Sequence, residues 1–191
     1  MRCYVCHSFS FSVICEACAT RMLHPSVSRR KIGALEVISL FRYSTIEPFL
    51  LTKHTPVGHR IYRYLGKQYV VPFLLDFTAQ TEEPFALIGV DEHVRYGYAH
   101  TAVLYHTMRH PAIQKLHGSL LASRRVKYAG KTLQYRLEHP RDFLYKGAGN
   151  LDAVLIDDII TTGLTLQEAQ RKLMDANINV LFALTLADAQ R

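Results

Sequence analysis

Residues 151–166 read LDAVLIDDIITTGLTL, and this stretch decides how the chain is interpreted. The apolar run in its first half predicts a buried strand, which ends in two adjacent carboxylates, Asp157 and Asp158. Two small hydrophobes separate them from a Thr-Thr-Gly turn at residues 161–163, and a helix is expected to begin near Thr165. A strand, a tight turn and a helix in this order predict an α/β fold.

The polar groups of this joint predict the kind of ligand that it binds. A turn at a helix N-terminus offers backbone N–H groups and hydroxyls to an anion, and the helix dipole also favours negative charge there. The two carboxylates would repel such an anion, but they accept hydrogen bonds from sugar hydroxyls. A 5-phosphoribosyl group carries both a phosphate and vicinal hydroxyls, so it meets both demands.

The alternative is a joint whose polar residues only cap the helix. Thr165 and Glu168 have the spacing of a capping box, in which each side chain binds a backbone N–H of the other residue. Such a cap needs one hydroxyl and one carboxylate. It leaves the other threonines, Gly163 and the carboxylate pair without a role.

Length and composition predict a soluble globular protein. The chain has 191 residues, a length sufficient for one domain with a hydrophobic core and a small additional module. Of these residues, 49% are hydrophobic and 20% are charged, which is typical of globular proteins. The apolar runs are shorter than the roughly 18 to 20 residues that cross a bilayer. The first residues lack the pattern of a signal peptide, so the expected location is the cytoplasm.

All four cysteines lie within the first eighteen residues, as two Cys-x-x-Cys pairs separated by eight residues. Two such pairs can place four thiolates tetrahedrally around Zn²⁺. Disulfides are the alternative, but they are rare in a reducing cytoplasm. The spacing therefore predicts a structural zinc site whose ligands are Cys3, Cys6, Cys15 and Cys18.

The remaining pattern predicts a sheet covered by helices. Strands are expected at residues 34–43, 84–90, 113–121 and 178–187, and the helices include residues 58–80 and 98–110. From residue 85 onward the order is that of a parallel sheet. Because ligands of such sheets gather outside the carboxyl ends of the strands, residues 91–95 are a second candidate site segment.

Positive charge is concentrated in one segment. Residues 93–147 contain ten Lys or Arg and two acids, a local charge of +8 in a chain whose net charge is +7. Tyrosines alternate with these cations, and cations beside aromatic rings suit single-stranded nucleic acid. A solvated basic loop whose tyrosines pack on the domain is the alternative. The candidate nucleic-acid contacts are Arg95, Arg124, Arg125, Lys127, Tyr128, Lys131 and Arg136.

Residues 154–165 resemble the signature loop of the type I phosphoribosyltransferases, which binds phosphoribosyl pyrophosphate. The resemblance implies an α/β fold of that type and a ligand that carries Mg²⁺ on its pyrophosphate. It also implies that the carboxylates hold the ribose hydroxyls and that the turn holds the 5-phosphate. The residues implied in binding are Asp157, Asp158, Ile159, Ile160, Thr161, Thr162, Gly163, Leu164 and Thr165.

The four cysteines before this loop make the whole chain similar to the ComF family of competence proteins (ComFC type). The resemblance divides the chain into a zinc-binding module at residues 1–30 and a phosphoribosyltransferase-like domain at residues 31–191. It includes a helix that carries a lysine, here Lys53. It implies a role in natural transformation, in which the protein handles incoming single-stranded DNA at the cytoplasmic side of the inner membrane, beside the DNA-uptake machinery.

Nucleobase salvage by a true phosphoribosyltransferase is the alternative function. A salvage enzyme must also position a nucleobase, and no base-recognition segment is evident after the last expected strand. A protein that only recruits partners, with the loop as a relic, is a third hypothesis. Whether the site catalyses a reaction is left open by the sequence.

Overall fold

The strand that carries the two carboxylates is β7 (Leu151–Ile160), and it lies inside the main sheet between β8 (Ile178–Asp188) and β3 (Phe85–Gly89). The structure is a computed structural model that describes residues 1–81, 83–91, 93–94, 97–124, 126, 130 and 132–190. Strand β7 reaches Ile160, so both carboxylates belong to the strand and only residues 161–163 form the turn.

The described strands form a six-stranded sheet in the order β1-β2-β8-β7-β3-β4. Strands β2 (Leu35–Arg42), β8, β7, β3 and β4 (Ile113–Lys115) pair in parallel, and β1 (Ser28–Ile32) pairs antiparallel with β2 at one edge. The predicted α/β class with a mostly parallel sheet is therefore confirmed. Because the carboxyl ends of β3, β7 and β8 meet at one edge, residues that follow them share one site.

Helices cover both faces of the sheet. One face packs on a helical run made of α2 (Tyr43–Leu50), a 3₁₀ turn (Leu51–His54), α3 (Pro56–Leu65), a π-helical turn (Gly66–Val70) and α4 (Val71–Thr81), and on α5 (His100–Tyr105). The other face packs on α7 (Leu164–Met174). Thr55 caps α3 by accepting the Gly58 N–H, and the predicted helix at residues 58–80 is confirmed.

The prediction of one strand at residues 113–121 is wrong. Residues 113–115 form β4 at the edge of the main sheet, whereas β5 (Leu120–Ala122) pairs antiparallel with β6 (Phe143–Tyr145) in a separate hairpin. Gly118 has a φ of 65°, which turns the chain between the two strands. The helix predicted at residues 98–110 is shorter in the structure, where α5 is the helix described within this range.

A hood stands over the carboxyl end of the sheet. We use this name for the described residues within 119–146, which include β5, the short helix α6 (Leu133–Glu138) and β6. Thr132 begins α6 by accepting the N–H of Tyr135. The inner side of the hairpin contributes Leu120 and Phe143 to the core beside α7, which fixes the hood on the domain.

The cysteine-rich N-terminus shares the main hydrophobic core. Its helix is α1 (Glu16–Met22), and the side chains of Cys3, Ile14 and Leu23 are buried in the same cluster as β2 and α2. In the loop between the cysteine pairs, Ile14 is buried, whereas Phe11 is 91% exposed. Strand β1, which includes residues 28–30, pairs with β2. The domain division at residue 30 stays a prediction.

Among the described residues there is no helix with the length and apolar character that crossing a bilayer requires.

Candidate functional site

A cavity of about 380 Å³ opens at the carboxyl ends of β3 and β7. Its wall includes the two adjacent aspartates, the turn and the start of α7, and the hood closes it from above with Arg136 and Arg141. A larger depression lies at the opposite edge of the sheet, at the amino ends of β3 and β7. Since ligands of parallel sheets bind at the carboxyl ends, the smaller cavity is the candidate site.

Gly163 shapes the turn. Its φ of 84° lies in the left-handed region, and it is the N-cap of α7, which begins at Leu164. A Cβ at this position would overlap the side chain of Ile32 on β1. Glycine is therefore required here both for backbone conformation and for space.

The capping-box interpretation of this joint is wrong. Glu168 accepts hydrogen bonds from the backbone N–H groups of Arg141 at 3.1 Å and Asp142 at 2.6 Å. The carboxylate thus fastens the hood to α7, one turn after the helix begins. Thr165 lines the cavity, and its role as a ligand of the phosphate stays a prediction.

Asp158 is a buried, paired carboxylate. Its Oδ2 lies 2.9 Å from the Nζ of Lys53 and accepts a hydrogen bond of 3.0 Å from the hydroxyl of Tyr62. Burial alone would raise the pKa of Asp158, but the Lys53 ammonium and these hydrogen bonds hold it well below its usual range. Asp158 is therefore ionised at neutral pH, and Lys53 neutralises its charge.

The pKa of Asp157 is shifted in the opposite direction. Burial first, and then the neighbouring charge of Asp158, raise the pKa of Asp157 well above its usual range. Its Oδ1 accepts the backbone N–H of Asp158 at 2.8 Å. The two adjacent carboxyl groups therefore have pKa values shifted in opposite directions, and the charge of Asp158 is offset by Lys53.

A histidine of the cavity wall and two buried tyrosines surround Asp158 and the segment that carries Lys53. The Nε2 of His100 lies 3.8 Å from Asp158 Oδ2, and burial lowers the pKa of His100, so the ring favours its neutral form. Tyr98 donates a hydrogen bond to the carbonyl of Lys53, which holds the segment that carries the lysine. The sequence analysis missed Tyr62, Tyr98 and His100. The only sequence signal for Tyr98 and His100 is that they come shortly after the strand expected at residues 84–90 and the second candidate segment.

Asp91 and His93, the residues of the second candidate segment (91–95) with described side-chain contacts, hold the hood in place. Asp91 has a φ of 55°, and its carboxylate accepts the backbone N–H of Ala122 at 3.1 Å and an N–H of Arg141 at 2.9 Å. The Nε2 of His93 donates a hydrogen bond of 2.8 Å to the Ala122 carbonyl. These contacts join the end of β3 to β5 and to the chain that precedes β6.

Two of the seven candidate nucleic-acid contacts have described positions. Arg124 forms an ion pair of 2.6 Å with Asp142, and its side chain is 64% exposed. Arg136 points into the cavity, where its Nη1 lies 2.9 Å from the hydroxyl oxygen of Thr161. The other five lie outside the described residues, namely Arg95, Arg125, Lys127, Tyr128 and Lys131.

The four cysteines are reduced and converge on one point. Their sulfur atoms lie within 4.8 Å of one another, with Cys6 and Cys15 at 3.7 Å. Burial raises the pKa of the Cys18 thiol to about 12, whereas hydrogen bonds, led by the Cys15 N–H, outweigh burial and lower the pKa of Cys3 to about 6. Four converging sulfurs are the donor set of a structural Zn²⁺ site, and they fit the predicted metal.

Comparisons with known proteins give distant structural similarities. No protein-family model and no curated protein matches the chain. An adenine phosphoribosyltransferase aligns with 11% identity over 89% of this chain and 88% of that chain, with a TM-score of 0.44. The orotate phosphoribosyltransferase of Mycobacterium tuberculosis H37Rv aligns with 15% identity over 89% and 81%, with a TM-score of 0.43. A phosphoribosyltransferase from Corynebacterium diphtheriae aligns with 12% identity over 89% and 80%, with a TM-score of 0.41.

Proposed function

We propose that the cavity binds phosphoribosyl pyrophosphate together with Mg²⁺. The observation that carries the proposal is the juxtaposition of two unlike groups at one edge of the sheet. A glycine-dependent turn opens α7, where N–H groups and the helix dipole attract a phosphate. Directly beside it stand two carboxyl groups of which one is neutralised by a lysine, and these suit the hydroxyls of a sugar.

Each part of the ligand has a counterpart in the cavity. The 5-phosphate lies against residues 159–165, where the hydroxyls of Thr161, Thr162 and Thr165 supplement the backbone donors. The ribose hydroxyls contact Asp157 and Asp158. Mg²⁺ would be carried by the pyrophosphate, whose charge it offsets, and His100 with the two aspartates is a described cluster that could hold a metal ion.

Calorimetry tests this proposal. Phosphoribosyl pyrophosphate with Mg²⁺ is titrated into the wild-type protein and into Asp157→Asn, which removes the acidic proton but keeps the shape of the side chain. We expect saturable binding by the wild type and an affinity about fivefold lower for the variant, because one hydrogen bond to a hydroxyl is worth about 1 kcal/mol. No heat of binding with the wild-type protein would refute the proposal.

We further propose, from the resemblance to the ComF family, that the protein handles single-stranded DNA in natural transformation. The cytoplasmic face of the inner membrane, next to the uptake machinery, is then its place of action. The charge of +8 in residues 93–147 supports a polyanion-binding face. Arg124 is a described candidate on that face with an exposed side chain. The four-cysteine cluster supports the zinc-binding part of the resemblance.

Gel retardation and a turnover assay separate this role from nucleobase salvage. We expect single-stranded DNA to be retarded at ~0.1 M salt, where phosphate contacts are still strong, and less so by Arg124→Gln. Failure to retard DNA at this salt concentration would remove the DNA role. Release of pyrophosphate with any common nucleobase would instead make the protein a salvage phosphoribosyltransferase.

A further inference from the structure

The hood helix α6 contributes a cation to the turn that opens α7. Arg136 Nη1 lies 2.9 Å from Thr161 Oγ1, and both residues line the cavity. On the opposite side of Thr161, Arg30 of β1 donates a hydrogen bond of 2.8 Å to its backbone carbonyl. The first residue of the turn is thus held by two arginines from distant parts of the chain.

At the turn, the guanidinium of Arg136 contacts a neutral hydroxyl. A phosphate oxygen is negatively charged, and a phosphate can accept two N–H groups of one guanidinium at once. A phosphate bound at the turn would therefore attract this side chain more strongly than Thr161 does. The hydroxyl of Thr161 accepts from Arg136, so its own proton can be donated to the same phosphate.

The position of Arg136 is set by the fold. The chain that follows α6 is fastened to α7, because Glu168 accepts the backbone N–H groups of Arg141 and Asp142. Arg141 is in turn paired with Asp91 at 2.9 Å. Helix α7, whose N-terminus faces the phosphate, therefore also anchors the chain that follows α6. Arg136 reaches the phosphate from α6.

We infer that Arg136 is a ligand of the 5-phosphate of the bound sugar and that it joins the hood to the turn when the ligand is present. This role rests on the proposed function, and it differs from the nucleic-acid contact that the sequence suggested for Arg136. Since the 5-phosphate is common to all ribose 5-phosphates, Arg136 acts on ligands with and without a pyrophosphate.

Calorimetry with two ligands tests the inference. Phosphoribosyl pyrophosphate with Mg²⁺, and ribose 5-phosphate alone, are titrated into wild type, Arg136→Gln and the control Arg171→Gln, which removes an exposed arginine in the last turn of α7. We expect Arg136→Gln to weaken both ligands by a similar factor, about tenfold to a hundredfold, because it removes a charged hydrogen-bond donor. The control should bind both ligands as the wild type does, and thermal unfolding verifies that each variant is folded.

The outcomes separate the inference from the proposed function. If the wild type binds phosphoribosyl pyrophosphate and Arg136→Gln binds both ligands unchanged, the inference is wrong and the proposed function stands. A loss confined to phosphoribosyl pyrophosphate would place Arg136 at the pyrophosphate instead, and a loss confined to retardation of single-stranded DNA would make it a nucleic-acid contact. Either result overturns the inference. If the wild type binds neither ligand, both proposals fail.

Discussion

Replacing Lys53 with methionine tests the electrostatics of the site. Methionine keeps most of the length of the side chain but removes the ammonium that lies 2.9 Å from Asp158. Breaking a buried ion pair by removing one partner costs about 3–5 kcal/mol, but the Lys53 side chain is 32% exposed and solvent screens part of the interaction. We therefore expect the free energy of unfolding at pH 7 to fall by about 2–3 kcal/mol. For a chain of this size the melting temperature should fall by about 4–12 °C.

The loss should depend on pH, with a sign that follows from the pKa of Asp158. In the wild type this pKa is lower than in the unfolded chain, so Asp158 contributes stability above pH ~4 and the contribution is lost as pH falls below that value. Without Lys53, burial raises the pKa of Asp158 above its unfolded value. The variant then loses stability as pH rises, and the difference between the two proteins grows from pH 4 to pH 7.

Urea unfolding at several pH values between 4 and 7, in zinc-saturated buffer, measures this difference. Lys67→Met is the matched control, because Lys67 is an exposed lysine in the π-helical turn between α3 and α4. The double variant Lys53→Met with Asp158→Asn should recover part of the loss, since no unpaired charge stays buried. Equal unfolding free energies for Lys53→Met and Lys67→Met at pH 7, or a deficit that is the same at every pH, would refute the reasoning.

Two further predictions concern the turn and the metal. Gly163→Ala should destabilise the protein more than Gly118→Ala in thermal unfolding and should also weaken ligand binding in calorimetry. Both positions have positive φ, but an added Cβ overlaps Ile32 at the first and meets nothing within 4 Å at the second; equal melting temperatures would contradict this. Metal analysis should find one Zn²⁺ per chain, and a chelator should lower the melting temperature, because the metal contributes folding energy to the four-cysteine cluster. A protein that melts at the same temperature with and without chelator would argue against a structural metal.

The parts of the fold that were predictable have strong local signals. The apolar run of β7 followed by a Thr-Thr-Gly turn identified the central joint, and the two Cys-x-x-Cys pairs identified a cluster whose sulfurs do converge. Strand β1 was missed because its sequence, Ser-Arg-Arg-Lys-Ile, is polar. It is an edge strand that needs only backbone pairing with β2, so composition gives little indication of it.

The site was predictable only where it is contiguous in sequence. Lys53 and Tyr62 lie 105 and 96 residues before Asp158, and no local pattern indicates that they meet its carboxylate. Glu168 illustrates an error in the other direction, where a local pattern was misleading. Its spacing from Thr165 fits a helix cap, but its carboxylate instead accepts two backbone N–H groups of the hood. A tertiary contact of this kind outweighs a local preference, and sequence spacing alone does not reveal it.

A structure of the protein soaked with phosphoribosyl pyrophosphate and Mg²⁺ tests the central claim most directly. The account predicts density in the cavity at the carboxyl end of β7, with the 5-phosphate at residues 161–165 and the ribose hydroxyls within hydrogen-bonding distance of Asp157 and Asp158. An empty cavity at saturating ligand, or a ligand bound elsewhere on the molecule, would contradict it.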